Sequence, residues 1–150
     1  MEYNGPIVTC SALIERALDN RFLLFFCPAY HVWRAHGGRA EHNEKLEETL
    51  TREMEEEIGI EIGRLRFLGY GQDIIHHYPL KEEIPRLVMY FHTTIQRDEL
   101  LKIDCKEAES FKWVTLSELM SHENIEPAML DFFEKKPAIK IHPQQDYKPH

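Results

Sequence analysis

GRAEHNEKLEETLTREMEEEIGI, residues 38–60, is the stretch from which the rest of the chain can be read. Within it Leu46, Leu50, Met54 and Ile58 recur at four-residue spacing among Glu, Lys, Thr and Arg, which predicts an amphipathic helix over Glu44–Ile58. Gly59 follows where a left-handed cap would end that helix. The acids are unevenly placed on it. At roughly 100° per residue, Glu57 projects within about 20° of the mean direction of Leu46, Leu50 and Met54, and Glu53 lies about 60° away. An ordinary solvated helix puts its acids opposite the core, as Glu55 is here. Glu53 and Glu57 are four residues apart and Glu53 and Glu56 three, so like charges crowd the C-terminal end, where the helix dipole also disfavours them. Something cationic is expected among them, while Glu47, Glu48 and Glu55 read as surface charges.

Clustered carboxylates with no Cys or His at ligand spacing in the same helix select a hard cation, so Mg²⁺ is expected, with Mn²⁺ as the alternative. Such an ion would neutralise and position an anionic ligand, and make a bound water acidic enough to give hydroxide near neutral pH. The bulk charge sharpens this expectation. Acidic residues outnumber Lys plus Arg by 26 to 18, for a net charge of -8, so the overall field repels phosphate and argues against DNA binding. A polyphosphate ligand therefore needs divalent cations to reverse the field locally.

Outward from this helix, 150 residues are enough for one domain with its own core. Ile7 to Ile14 and Arg21 to Phe26 read as two strands with a turn at Asp19-Asn20. Cys27 to Asn43, with a proline, three histidines and Gly37-Gly38, reads as a loop with little regular structure. Arg64 to Tyr78, Arg86 to Ile95 and Ser110 to Val114 are strand-like. Thr115 or Ser117 is placed to cap a helix over Leu116–Met120, and Pro127–Lys135 reads as a third helix. The domain is expected over residues 1–136, with 137–150 as a poorly ordered tail. Cys10, Cys27 and Cys105 are odd in number and widely spaced, as for reduced thiols in a cytoplasmic protein. No apolar run approaches the ~18 residues needed to span a bilayer, and the N-terminus lacks the pattern of an export signal.

In residues 38–60 the sequence resembles the Nudix hydrolase family, whose signature is Gly, five residues, Glu, seven residues, then Arg-Glu-apolar-any-Glu-Glu-any-Gly-apolar. Gly38, Glu44, Arg52, Glu53, Met54, Glu56, Glu57, Gly59 and Ile60 fill its nine places in register. The resemblance implies an α/β fold, a Nudix-like α/β/α sandwich with a mixed β-sheet, over roughly residues 5 to 135. It implies that Glu53, Glu56 and Glu57 ligate metal, completed by the carbonyl of Gly37 or Gly38, and that Arg52, paired with Glu44, fixes the loop against the helix. Gly38 and Gly59 serve the sharp backbone turns at either end.

Other positions carry weaker implications of the same resemblance. Glu107 stands six residues before Trp113, where relatives place a metal ligand or general base, and Glu109 is its rival. Trp33 precedes the paired glycines, but Arg34-Ala35-His36 replaces the Leu-Pro found in many members, and the missing proline loosens the loop entry. His36 either touches substrate or fills the space, the second being favoured. Tyr78 falls where a ring in some relatives could stack on a base. Trp33, Arg34 and Tyr78 are the expected substrate contacts. His76 and His77, adjacent in a strand, point to opposite faces, so at most one faces the cleft.

The activity implied is metal-dependent hydrolysis of a diphosphate linkage in a nucleoside diphosphate derivative, a nucleoside triphosphate or nucleotide sugar. Dinucleoside polyphosphate or RNA 5′-end pyrophosphate hydrolysis is the alternative, and isomerase chemistry on a prenyl diphosphate a distant one. From another class, the rival is a catalytically inactive nucleotide-binding regulatory module. Such modules usually lack one or more of the box acids, and this chain lacks none. A small-molecule nucleotide is the expected partner, and the resemblance also allows a homodimer.

Overall fold

β1 (Ile7–Arg16) is the axis of the molecule, because it is buried on both faces from Cys10 to Glu15. The structure, a computed structural model, describes residues 5–59, 63–96 and 110–135. β2 (Arg21–Cys27), β3 (Val32–Arg34), β4 (His36–Arg39), β5 (Arg66–His77), β6 (Glu82–Ile95) and β7 (Ser110–Val114) join β1 in one mixed sheet, with α1 (Leu46–Glu57), α2 (Leu116–Ser121) and α3 (Pro127–Lys135) outside it. The main path is β3-β2-β1-β6-β5, with β4 paired to β1 and β7 to β2. β1 and β6 run parallel from Ile7↔Arg86 to Arg16↔Ile95, and the other pairs are antiparallel.

Period-two alternation along β1 divides the core into two layers. Cys10, Ala12 and Ile14 meet Leu50, Met54 and Ile58 of the α1 segment, while Leu13 meets Ala128, Met129 and Phe132 of α3. Leu50, Met54 and Ile58 have no exposed surface, so the four-residue spacing is the buried stripe of the helix, with Leu46 partly buried at its start. Each such side chain contributes about 1.5–3 kcal/mol by leaving water. On the other layer, a Cβ at Gly71 would lie 1.8 Å from the Ala128 carbonyl oxygen, so α3 rests directly on the β5 backbone. Thr115 caps α2 with a reciprocal box, its hydroxyl accepting from the Glu118 amide at 3.1 Å.

Three boundaries differ from the sequence reading. Cys27 to Asn43 contains β3 and β4, which the residue types do not announce. Gly37 and Gly38 become strand because Ser11 and Cys10 of β1 pair with them, a tertiary pairing that overrides weak local propensity. β6 begins four residues before Arg86 and passes through Pro85, which is tolerated because pairing with β1 starts only at Arg86 and leaves that side open. α1 starts at Leu46, with the Glu44 side chain outside it, turned back onto the helix. Ile60, Glu107, Glu109, Cys105 and the stretch 137–150 lie outside the described residues. No described helix is long and apolar enough to cross a membrane.

Candidate active site

The packing of α1 against β1 brings its acids to β4, since Gly38 of β4 pairs with Cys10 of β1 directly beneath the helix. Glu53 is the acid pressed into this junction. A Cβ at Gly38 would lie 2.7 Å from both Cδ and Oε1 of Glu53, so only glycine lets the carboxylate reach the loop backbone. The Cys10 thiol faces the Gly38 and Leu46 carbonyls at 3.6 Å, and burial, with Glu53 next in weight, pushes its pKa up to about 12. It stays a packed thiol rather than a nucleophile.

Arg52 binds this end together. Its Nε and Nη2 donate to the two Glu44 oxygens at 2.8 and 3.1 Å, and its Nη1 donates to Glu53 Oε1 at 3.1 Å. The same Nη1 lies 3.6 Å from Glu56. The Arg52 guanidinium thus lies among Glu44, Glu53 and Glu56. Hydrogen bonds from Arg52 and Thr49 draw the Glu44 carboxyl down to about 2. Glu56 has 61% of its side chain exposed against 15% for Glu53 and 25% for Glu57, so the three acids differ in depth. Among the described residues no three acids, histidines or cysteines converge closely enough to hold one ion as placed. Gly59, at φ 79°, closes the helix in the left-handed region.

His36 fills space rather than facing a cleft. It is 4% exposed, its ring 5.3 Å from that of Phe25, and burial lowers its pKa to about 4. At neutral pH the imidazole is uncharged, so its 3.7 Å approach to Glu57 Oε2 is not an ion pair.

A cavity of about 500 Å³ opens beside Gly37 and Gly38. Ile7, Thr9 and Ser11 of β1, Ile84 and Arg86 of β6, and Tyr30, Arg34, Arg39, His77, Leu80 and Glu82 line it. Of the expected substrate contacts only Arg34 is in this lining. Trp33 instead meets the Phe26 ring at 5.5 Å and the Lys112 ammonium at 4.1 Å. Tyr78 stacks on His31 at 3.7 Å outside the cavity. His77 faces the cavity and His76 pairs with Glu83, as opposite strand faces require.

The residues that sequence reasoning passed over lie under this cavity. Arg86 donates from Nε and Nη2 to the Asp73 carboxylate at 2.9 and 2.7 Å, and Glu126 lies 4.0 Å away. Burial works against the Arg86 charge, and Glu126 and Asp73 more than offset it. Asp73 also accepts the Ala128 amide at 2.9 Å, and Glu126 accepts the buried Tyr90 hydroxyl. The Tyr30 ring lies 5.2 Å from the Arg86 guanidinium. The available signal was an arginine heading an apolar strand and an acid before Pro127, both commonplace in isolation.

Comparison with known proteins follows the same outline. The family model described as NUDIX domain matches residues 12–136. Among solved structures, the MutT protein from Methanosarcina mazei Go1 is 24% identical, with a TM-score of 0.70 over 89% of this chain and 95% of that one. The NUDIX domain of Shewanella oneidensis NrtR, solved with ADP ribose, is 14% identical, with a TM-score of 0.65 over 90% and 89%. The Ap4A hydrolase of C. elegans is 18% identical, with a TM-score of 0.61 over 89% and 98%. Among curated protein sequences none matches significantly. With a complete acidic box and a family match across most of its length, the chain belongs to the NUDIX domain family.

Proposed function

We propose that the chain hydrolyses the diphosphate linkage of a small nucleoside diphosphate derivative, a nucleoside triphosphate or a nucleotide sugar, with the scissile group at the junction of α1 and β4. One observation carries this reading: Gly38, against which the Glu53 carboxylate is pressed, also forms part of the cavity wall. Glu53 therefore lies behind Gly38, next to the space a nucleotide would occupy.

Glu53, Glu56 and Glu57, with the Gly37 or Gly38 carbonyl, form an all-oxygen donor set that suits a hard divalent ion, Mg²⁺ or Mn²⁺. The close Glu53–Gly38 approach and the guanidinium drawn between Glu53 and Glu56 support that fit. When bound, such an ion supplies charge neutralisation on the diphosphate and a more acidic water. The chain's own residues do the rest. Arg52, tied to Glu44, orients Glu53, and Gly38 gives the carboxylate room. A carboxylate, Glu53, Glu107 or Glu109, takes the proton from the water that attacks phosphorus. Arg34 and the cavity wall hold the nucleoside side.

The test is hydrolysis of nucleoside triphosphates, nucleotide sugars and dinucleoside polyphosphates, with and without divalent metal, by the parent chain and by Glu53→Gln and Glu57→Gln. Metal-dependent turnover that falls by about 10²–10⁴ in Glu53→Gln is expected. Parental rates in both variants would refute the mechanism.

A further inference from the structure

Three arginines border the cavity, and their commitments differ. Arg86 is engaged by Asp73 through two hydrogen bonds. Arg39 is exposed and follows Gly38, at the end nearest the box acids. Arg34 is held on β3 opposite Phe25, yet no carboxylate pairs with it among the described residues. Its Nε is buried without an acceptor, and Nη1 reaches only the Ala35 carbonyl at 3.4 Å. The Arg34 guanidinium, part of the cavity lining, thus makes a single long hydrogen bond among the described residues.

Charge and hydrogen bonding point to different deficits. Around this end of the cavity, Arg34 and Arg86 stand against Asp73 and Glu126, so formal charge is balanced while Arg34's hydrogen-bonding capacity is not. A phosphate placed here would bring new negative charge beside two buried carboxylates. A neutral group presenting acceptors meets no such repulsion. Arginine offers only donors, in a planar fork that suits two adjacent acceptors. On a purine, O6 and N7 of a 6-oxo base present that pair, whereas a 6-amino base turns an N–H donor toward the arginine. Ile7, Leu80 and Ile84 supply apolar surface for the ring.

We propose that Arg34 is the specificity-determining residue of the cavity and selects a 6-oxopurine nucleotide, guanine or hypoxanthine, over a 6-aminopurine by donating to O6 and N7. This rests on the hydrolase reading for its placement of the diphosphate at Gly38, but its test does not require turnover. Equilibrium binding of GMP, IMP and AMP to the full chain should favour the two 6-oxo nucleotides by roughly 5- to 150-fold, the range of one bidentate arginine contact. Arg34→Gln and Arg34→Lys should both erase that ratio, lysine because a point charge lacks the fork. In turnover of GTP, ITP and ATP the loss should fall on KM more than on kcat.

Equal binding of the three monophosphates, binding of none, or a ratio preserved in Arg34→Lys would overturn the proposal. If a variant fails to fold, the ratio in the parent chain still decides. Discrimination among monophosphates with no hydrolysis of any diphosphate substrate would refute the hydrolase reading alone. Hydrolysis without base preference would refute the base assignment alone.

Discussion

Arg52 grips Glu44 within one helix and its leading turn, with a quarter of its side chain exposed, whereas Arg86 grips Asp73 across β5 and β6 with 6% exposed. Both arginines are raised in pKa by carboxylates, Arg52 chiefly by its Glu44 hydrogen bonds, Arg86 by Glu126 and Asp73 against the cost of burial. The resemblance ends there. Water and salt screen the first cluster, so its geometry matters more than its energy. The second has little solvent to fall back on, so each partner depends on the others being charged and in place.

That contrast can be broken by mutation. Arg86→Met leaves the buried Asp73 carboxylate without its hydrogen-bonded counter-charge and should cost about 3–5 kcal/mol in urea unfolding. The corresponding Arg52→Met should cost about 0–1 kcal/mol, while lowering hydrolytic rate because Glu53 loses its tether. Equal losses of stability would mean that the two clusters are energetically alike and that burial is not what separates them.

The pH dependence sharpens the comparison further, because the two clusters shift a carboxyl in opposite directions. Burial raises the pKa of Glu126, so its folded-state value exceeds the unfolded one. The stability tied to its proton is complete below about pH 4.5 and is lost as pH rises through the folded value. Glu126→Gln should flatten that decline, seen as a smaller drop in melting temperature between acidic and neutral buffers. Glu44 has the opposite sign: drawn down to about 2, it stabilises the fold above the ordinary glutamate range and loses that contribution as pH falls toward about 2. Glu44→Gln should shorten this acid limb, and because Glu44 is solvent-screened the effect should be the smallest of the four. An acid limb unchanged in Glu44→Gln would show that Arg52 does not hold that carboxyl.

Legibility in the sequence followed the range of each interaction. The box helix was readable because its stripe, its acids and its Gly59 cap all repeat within one turn or two. The Arg52–Glu44 pair, eight positions apart, is implied by the family resemblance rather than by spacing. β4 was not readable: His36–Arg39 has no strand propensity, and it pairs only because β1 presents Ala12 to Thr9 beside it. Trp33 and Tyr78, expected at substrate from their position in the chain, lie outside the cavity lining, beside the rings of Phe26 and His31.

By itself, then, the order of residues determined the helix, its crowded acids and the Gly59 cap, because all of these are set by neighbours a few positions apart. Only the tertiary structure decided which acid is pressed to the cavity wall, which arginine is spent on Asp73 and which keeps its donors unmade. Those outcomes depend on how strands far apart in the chain register against β1, and that register is set by burial on both of its faces rather than by any local preference.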